Sequence, residues 1–479
     1  MLKKIIESYS FEVFIYLFRF LSNIFLIRLL GPELNGKFAY ILAVIGLFNF
    51  VNIFSSDIII YSEAVKEKTN SELIYNNNLI KLFMGFILII SIFTYLYFIK
   101  NEFSNLIFFI LIFTELVRQI INNYFQFHLQ ALNQVIKYKF LDLFGYVYLC
   151  ISFLILYYFR VSDFYIIAIL LFSKEFLVSG ICFFQNKNIP LRFKLDFKNL
   201  IYSFNFGKYL VLPKLTNIFV TNITVIILGS SGYFIEAGII SLLARIKMII
   251  SFPVNSIEPL IRRVYFKLSQ SDSYTKLNDF HKSYLNIISF YTCFIIIFVI
   301  INSDLIIIFI FGSDYLFVKN FFIVYLFAVH LNFFIRTSTY IFHSKKDTKK
   351  LGRLTFYFEI TLLLSIIILV PEEILGFKLF GFGILGDLYS KLTITFLLFI
   401  YMFKYCIKKN YFNINYNYLL IYFTSILFCL IYILFDKSLN LYVFNLLFLF
   451  FAILLISSYY KFSIISLKKD LNTVLKNDL

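Results

Sequence analysis

Three cations stand alone inside apolar stretches of this 479-residue chain: Arg19, Lys214 and Arg245. None has an acid three or four residues away, so none is neutralised on its own helix. Each belongs to a polar face at helical spacing. Glu12, Tyr16, Arg19 and Asn23 form one such face, and Asn49, Asn52 and Ser56 a second. Lys214, Asn217, Thr221 and Thr224 form a third, and Ser241 with Arg245 a fourth. A cation at mid-membrane costs about 2.5–3.5 kcal/mol on insertion scales, so such residues turn towards a bundle interior or a water-filled cavity. The chemistry they offer is binding: a central polar cavity with cationic walls.

Other charges have plainer readings. Glu115–Arg118 and Asp387–Lys391, at i,i+3 and i,i+4, read as self-neutralised pairs that hold helices together. Lys174 and Glu175 are adjacent, so they are expected to point apart and to need separate partners. Lys247 lies near Arg245 but off its face and reads as a packing or snorkelling residue. Arg28, near the outer end of its helix, either snorkels or stands at the mouth or gate of the cavity. The histidines (128, 281, 330 and 343) and the cysteines (150, 182, 293, 406 and 429) show no metal-ligand spacing. "GFGILG" at 381–386 satisfies the dinucleotide-binding pattern in letters only, because it opens an apolar helix rather than a strand–helix unit.

The elements that must carry these residues follow from composition. Hydrophobic residues make up 61% of the chain and charged residues 15%. Runs of about 20 apolar residues, enough to cross a bilayer core, recur throughout, so the fold is all-α and integral to a membrane. The runs predict about fourteen spans: 11–30, 38–60, 79–99, 105–125, 140–159, 163–184, 203–228, 236–260, 284–311, 320–343, 352–370, 379–403, 417–435 and 441–460. The first span reads as a retained helix, since no small-residue cleavage site follows it. Gly31-Pro32 and Asn35-Gly36 read as breakers in a tight turn between the first two spans. Pro213, Pro253 and Pro259 are expected to interrupt spans 7 and 8.

The connections alternate in charge. One set is strongly basic, including Lys187, Arg192, Lys194 and Lys198, then Arg262, Arg263 and Lys267, then Lys345, Lys346, Lys349 and Lys350. The other set holds single cations such as Lys37, Arg160 and Lys319. The positive-inside rule then places the basic set and both termini in the cytoplasm. The net charge of +17 is an orientation signal spread over many short loops, which excludes a nucleic-acid patch. The chain also reads as doubled: an N-terminal lobe at 1–190 with spans 1–6 and a C-terminal lobe at 200–405 with spans 7–12. An additional span pair at 411–460 and a cytoplasmic tail at 461–479 follow. Each half has a Leu-Gly turn after its first span, "RLLGPELNGKFAY" at 28–40 and "ILGSSGYFIEAGII" at 227–240.

Three stretches carry a family likeness. "RLLGPELNGKFAY" resembles the first-turn signature of the polysaccharide-transporter, or O-antigen flippase, family within the multidrug/oligosaccharidyl-lipid/polysaccharide exporter superfamily. "AGIISLLARIKMIISFPVNSIEPLIRRVY" (237–265) resembles that family's span 8, and "IFGSDY" (310–315) the turn after span 9. The resemblance implies two six-helix lobes in a V, like that of the multidrug exporters, with spans 1, 2, 7 and 8 lining the cavity. It implies as substrate an undecaprenyl-diphosphate-linked oligosaccharide, flipped from inner to outer leaflet by alternating access. Arg19, Lys214 and Arg245 would hold the diphosphate, and Asn23, Asn49, Asn52 and Asn217 would meet sugar hydroxyls. Asp57, Glu258 and Glu359 are candidates for ion coupling. No cofactor, metal or catalytic residue is implied; a polysaccharide polymerase and chain-length machinery are the implied protein partners. Two other readings stay open: a multidrug cation exporter, whose cavity would be dominated by acids, and a membrane polysaccharide polymerase or ligase, which would carry a long outer loop.

The topology makes the first test. Single cysteines at 187–198, 262–282 and 345–350, in a cysteine-free background, should resist an impermeant thiol reagent in intact cells, while those near 314 and 372 react. Labelling of position 346 from outside would overturn the map.

Overall fold

The computed structural model describes residues 2–49, 51–52, 71–98, 105–131, 134–185, 196–270, 274–344, 347–374 and 377–409. The predicted spans 417–435 and 441–460, and Asp57, lie outside them. Nine segments among the described residues are long and apolar enough to cross a membrane. The fold is all-α, with one two-residue antiparallel strand pair, Glu373–Ile374 with Phe377–Lys378, in a turn among the described residues. The chain divides into two compact units, Met1–Ser241 and Leu242–Leu479.

In the first unit, α1 (Leu2–Leu47) has 46 residues. A straight rod of that length would run about 69 Å, twice a bilayer core. It is broken at Gly31, whose φ of 68° and ψ of 178° are non-helical, and Pro32 restarts the helix where a missing N–H costs nothing. The second predicted breaker, Asn35-Gly36, is helical instead. Gly36 serves close approach: a Cβ there would overlap the carbonyl oxygen of Phe234. A Cβ on Gly238 would lie 2.9 Å from the Pro32 oxygen and 3.1 Å from the Gly36 nitrogen. The two Leu-Gly turns therefore pack backbone to backbone, as small residues permit. Lys37 lies 5.3 Å over the Phe234 ring, and Asn35 is fully buried.

The second predicted span is also interrupted. Helix ends at Leu47, and residues 48, 49, 51 and 52 are non-helical, with Asn49 N–H donating to the Gly46 carbonyl at 3.3 Å. Asn49 and Asn52 thus leave the helical face the spacing predicts. Asparagine amides compete with the backbone for its hydrogen bonds and favour such breaks.

The rest of the first unit is α2 (Ser71–Phe98), α3 (Asn105–Leu116), α4 (Asn123–Ala131), α5 (Val135–Phe159), α6 (Phe164–Gln185), α7 (Phe197–Ser230) and the start of α8 (Phe234–Gln270). A π-helical turn, Val117–Asn122, joins α3 to α4, with Asn123 N–H bonding the Arg118 carbonyl. Arg160 ends α5 in the left-handed conformation, and Asp196 caps α7 by accepting from Lys198 N–H at 2.9 Å. The second unit continues α8 and adds α9 (Tyr274–Ile301), α10 (Ser303–Ile310), α11 (Lys319–Ser344), α12 (Thr348–Leu369) and α13 (Gly383–Lys408).

Several expectations need correction here. Helices α7 and α8 continue through Pro213, Pro253 and Pro259. Close to Pro253, Tyr291 donates to the Ile250 carbonyl at 2.9 Å and Ser251 to the Lys247 carbonyl at 2.6 Å. The basic connection at 262–282 is mostly helix, because α8 runs to Gln270 and α9 begins at Tyr274. Span 9 breaks at Asn302, where α10 starts afresh with Asp304 in its first turn.

Contacts between helix ends agree with the alternation of connections. Glu12 pairs with Lys139 at 2.8 Å, the Asp196 N–H donates to Asn76, and Tyr405 donates to Asp347 at 2.8 Å. Each joins two ends assigned to the basic side. Lys319 and Asp304, 2.9 Å apart, join two ends of the other side.

The glycine contact can be checked directly. Gly36→Ala and Gly238→Ala should each lose roughly 1–3 kcal/mol through overpacking and lower the melting temperature of the purified protein. Gly180→Ala, with open space around its Cβ, should not. Equal melting temperatures for all three would refute the close approach.

Candidate functional site

Arg19 sits on α1, half-buried, with its guanidinium carbon 5.6 Å from the centre of the Tyr146 ring on α5. Its charge also reaches Asp142 on α5. Among the described residues no carboxylate comes within ion-pair distance of it. Its carbonyl accepts from Ser22 and from the Asn23 amide, both at 2.8 Å, so Asn23 spends its nitrogen on its own helix. Tyr146 carries a second cation: Lys174 Nζ lies 4.3 Å from the same ring centre.

Behind this ring lies a charge network. Lys174 donates to Glu175 at 2.6 Å and reaches Asp142 at 4.0 Å. The expectation that Lys174 and Glu175 point apart is therefore wrong, because the long lysine stem folds back to its neighbour. Asn122, at the end of the π turn, donates to the Glu175 carboxylate at 2.6 Å. Glu115 accepts from Gln119 and from Arg118 Nε, both at 2.9 Å, and from Asn49. The expected Glu115–Arg118 pair is present and also tethers Asn49, just past the end of α1. Lys81 on α2 is fully buried and donates to the Gln119 carbonyl at 3.1 Å.

Lys214 donates to the Asn52 carbonyl at 3.0 Å, so a cation meets the broken end of the second span. Asn217 is exposed on α7, one turn before the exposed Thr221, whose hydroxyl bonds the Asn217 carbonyl at 2.7 Å. Arg28 lies half-buried in the last turn before the Gly31 break.

The second unit holds Arg245, half-buried on α8 and within electrostatic reach of Tyr315, a phenol only 2% exposed. Gly312, at φ 105°, makes the turn that sets Tyr315 in place. Arg336 on α11 pairs with Glu258 and bonds the Asn255 amide oxygen, so the coupling candidate Glu258 is bound to a cation. Asp387–Lys391 pair at 2.7 Å as the spacing predicts. Glu359 is half-buried on α12. The described residues hold no cluster of metal-ligating side chains.

Sequence spacing singles out Arg19, Lys214 and Arg245, and the structure gives each a different setting. It misses Tyr146, Asp142 and Lys81, whose roles depend on packing between helices. Asp142 and Lys81 were marked only as an acid and a cation inside apolar runs, and Tyr146 not at all.

The comparisons with known proteins agree with this architecture. A family model described as "Polysaccharide biosynthesis protein" matches residues 25–320. No curated protein sequence matches the chain significantly. Among solved structures, the lipid II flippase MurJ in an inward closed conformation superimposes with a TM-score of 0.63 at 17% identity, covering 96% of this chain and 99% of that one. An inward-facing multidrug resistance transporter of the MOP superfamily gives 0.61 at 15% identity, covering 83% and 97%. A MOP superfamily transporter from Pyrococcus furiosus, described as having a binding pocket of reverse polarity, gives 0.53 at 15%, covering 84% and 94%. With the family model spanning more than half of its length, the chain belongs to the polysaccharide biosynthesis protein family, built on the helical membrane fold of MOP superfamily transporters.

Proposed function

We propose that the protein is a flippase that moves an undecaprenyl-diphosphate-linked oligosaccharide, of the O-antigen or capsule type, from the inner to the outer leaflet of the bacterial cytoplasmic membrane by alternating access. The observation that carries this reading is Arg19, a mid-span guanidinium braced by an aromatic ring and without a carboxylate partner among the described residues. A diphosphate offers the paired oxygens that a planar guanidinium fork matches. Arg245 is its counterpart in the second unit. Lys214, already committed to the Asn52 carbonyl, contributes charge and holds the broken span. The exposed Asn217 faces the sugars.

The fold shared with a lipid II flippase supports lipid-linked cargo. A multidrug cation exporter is less well served, since Glu115, Asp142 and Glu175 lie beside Arg118, Lys174 and Arg19 and leave no acidic surplus. In this reading the basic connections and both termini are cytoplasmic, and a polymerase with chain-length machinery takes the product. Coupling through Glu258 would require its release from Arg336.

Loss of a charge-assisted contact of about 1.5–3 kcal/mol predicts roughly ten- to hundredfold slower export. Arg19→Ala and Arg245→Ala should therefore accumulate lipid-linked oligosaccharide on the inner leaflet while remaining folded in the membrane. Arg19→Lys should recover only part of the rate, because a point charge replaces the fork. Lys214→Met should lower thermal stability as well. Normal export with Arg19 and Arg245 both neutralised would end the diphosphate reading.

A further inference from the structure

Asp142 is the loosest member of the charge network behind Tyr146. Lys174 lies 4.0 Å from it but 2.6 Å from Glu175, which also takes the Asn122 amide at 2.6 Å. Glu115 is likewise held, by Arg118, Gln119 and Asn49. Asp142 accepts no hydrogen bond among the described residues, and its side chain is 27% exposed against 9% for Glu175.

Contacts between α1 and α5 place this carboxylate beside Arg19. Glu12 meets Lys139 at 2.8 Å, the Phe11 and Phe140 rings lie edge to face at 6.3 Å, and Arg19 stands 5.6 Å from the Tyr146 ring centre. The two helices therefore run parallel, with Asp142 level with Ile15, one turn before Arg19. Long side chains on a helix lean towards its N-terminus, so Arg19 leans towards the level of Asp142. Asp142 and Tyr146 share a face of α5, one turn apart. Gly145 opens that face to α6: a Cβ there would lie 3.0 Å from Lys174 Cε, so the lysine stem crosses where the glycine leaves room.

Among the described residues, the other charges around Asp142 are paired. Lys174 holds Glu175, Arg118 holds Glu115, and Glu12 holds Lys139. The remaining titratable groups are Tyr16 on α1, Tyr138 and Tyr146 on α5, Cys182 on α6, and Tyr124 with His128 on α4. Arg19 is thus the cation whose commitment an arriving anion changes. An anionic headgroup there takes up the guanidinium charge that favours the carboxylate and brings a like charge one turn away. Both effects favour the protonated acid. Lys174 restores the lost field only by leaving Glu175, at the cost of a buried, unpaired carboxylate.

We propose that Asp142 is a proton-binding site that takes up one proton as an anionic headgroup binds at Arg19, removing a carboxylate charge that opposes the cargo. The proton adds to a carboxylate oxygen from water at its exposed edge, and no other bond changes. The proposal rests on the diphosphate reading and supplies its charge compensation.

The test uses full-length protein in phosphatidylcholine nanodiscs, with farnesyl diphosphate as probe. Calorimetry near neutral pH, in two buffers of different ionisation enthalpy, counts the protons exchanged on binding. A diphosphate at a cationic site loses protons rather than gaining them, so uptake reports the protein. Wild type should take up about one proton, and its affinity should rise as pH falls, by up to about tenfold per pH unit. Asp142→Asn should bind more tightly, take up no proton and lose the pH slope, while Asp142→Glu keeps both. Proton release by wild type, or unchanged uptake in Asp142→Asn, would overturn the proposal. So would weaker binding and a lower melting temperature in Asp142→Asn with the pH slope intact, which would make Asp142 a structural partner of Lys174. Arg19→Ala should lose binding; wild-type affinity there would end the diphosphate reading itself, whereas a failure at Asp142 alone leaves that reading standing.

Discussion

A charge inside a bilayer has to meet an opposite charge, a polar backbone or water, and the described helices are arranged around that requirement. The first unit meets it mostly with opposite charge. Glu115, Glu175 and Asp142 gather Arg118, Lys174 and the field of Arg19 across α1, α3, the π turn, α5 and α6. The second unit meets it by layering, with Glu258 and Asp387 buried behind Arg336 and Lys391. The same electrostatic cost therefore gives a nearly balanced network in one unit and separate pairs with the more buried partner acidic in the other.

Backbone irregularities serve the same end. The π turn at Val117–Asn122 presents the Gln119 carbonyl to Lys81 on α2 and the Asn122 amide to Glu175 on α6, so three helices are joined there. Past the end of α1 the Asn52 carbonyl lies outside the helix, and Lys214 donates to it. Irregular backbone at membrane depth persists only where protein or water satisfies it. Asn49 and Asn52 are both the cause of the irregularity and the points at which it is tied down.

What the sequence made legible follows from the range of each interaction. Spans read out because hydrocarbon thickness fixes a run of about 20 residues. Glu115–Arg118 and Asp387–Lys391 read out because helix geometry alone brings them together. Lys174–Glu175 did not, since a flexible stem can return to an adjacent residue. Gly36 looked like a breaker because its reason for being glycine, the Phe234 carbonyl, is distant in the chain. Tyr146 left no trace and Lys81 only a cation in an apolar run, for the same reason: a ring between two cations, and a lysine under a π turn, exist only after helices pack. Lys247 was visible, but its exposure was not.

The contact between Gly36 and Gly238 also sets an order of assembly. During synthesis the first hairpin must wait until about 200 further residues have been made before α8 can lie against it. At about 5–20 residues per second that interval is roughly 10–40 s. Over that time the Gly31 bend exists, but the surface that clamps it does not. A bare glycine in a helix is a weak point in an unassembled membrane protein, and here two of them lie on the same seam. The first unit is closed by one of the last elements it receives, which makes the emergence of α8 the step that commits the N-terminal half to its final packing.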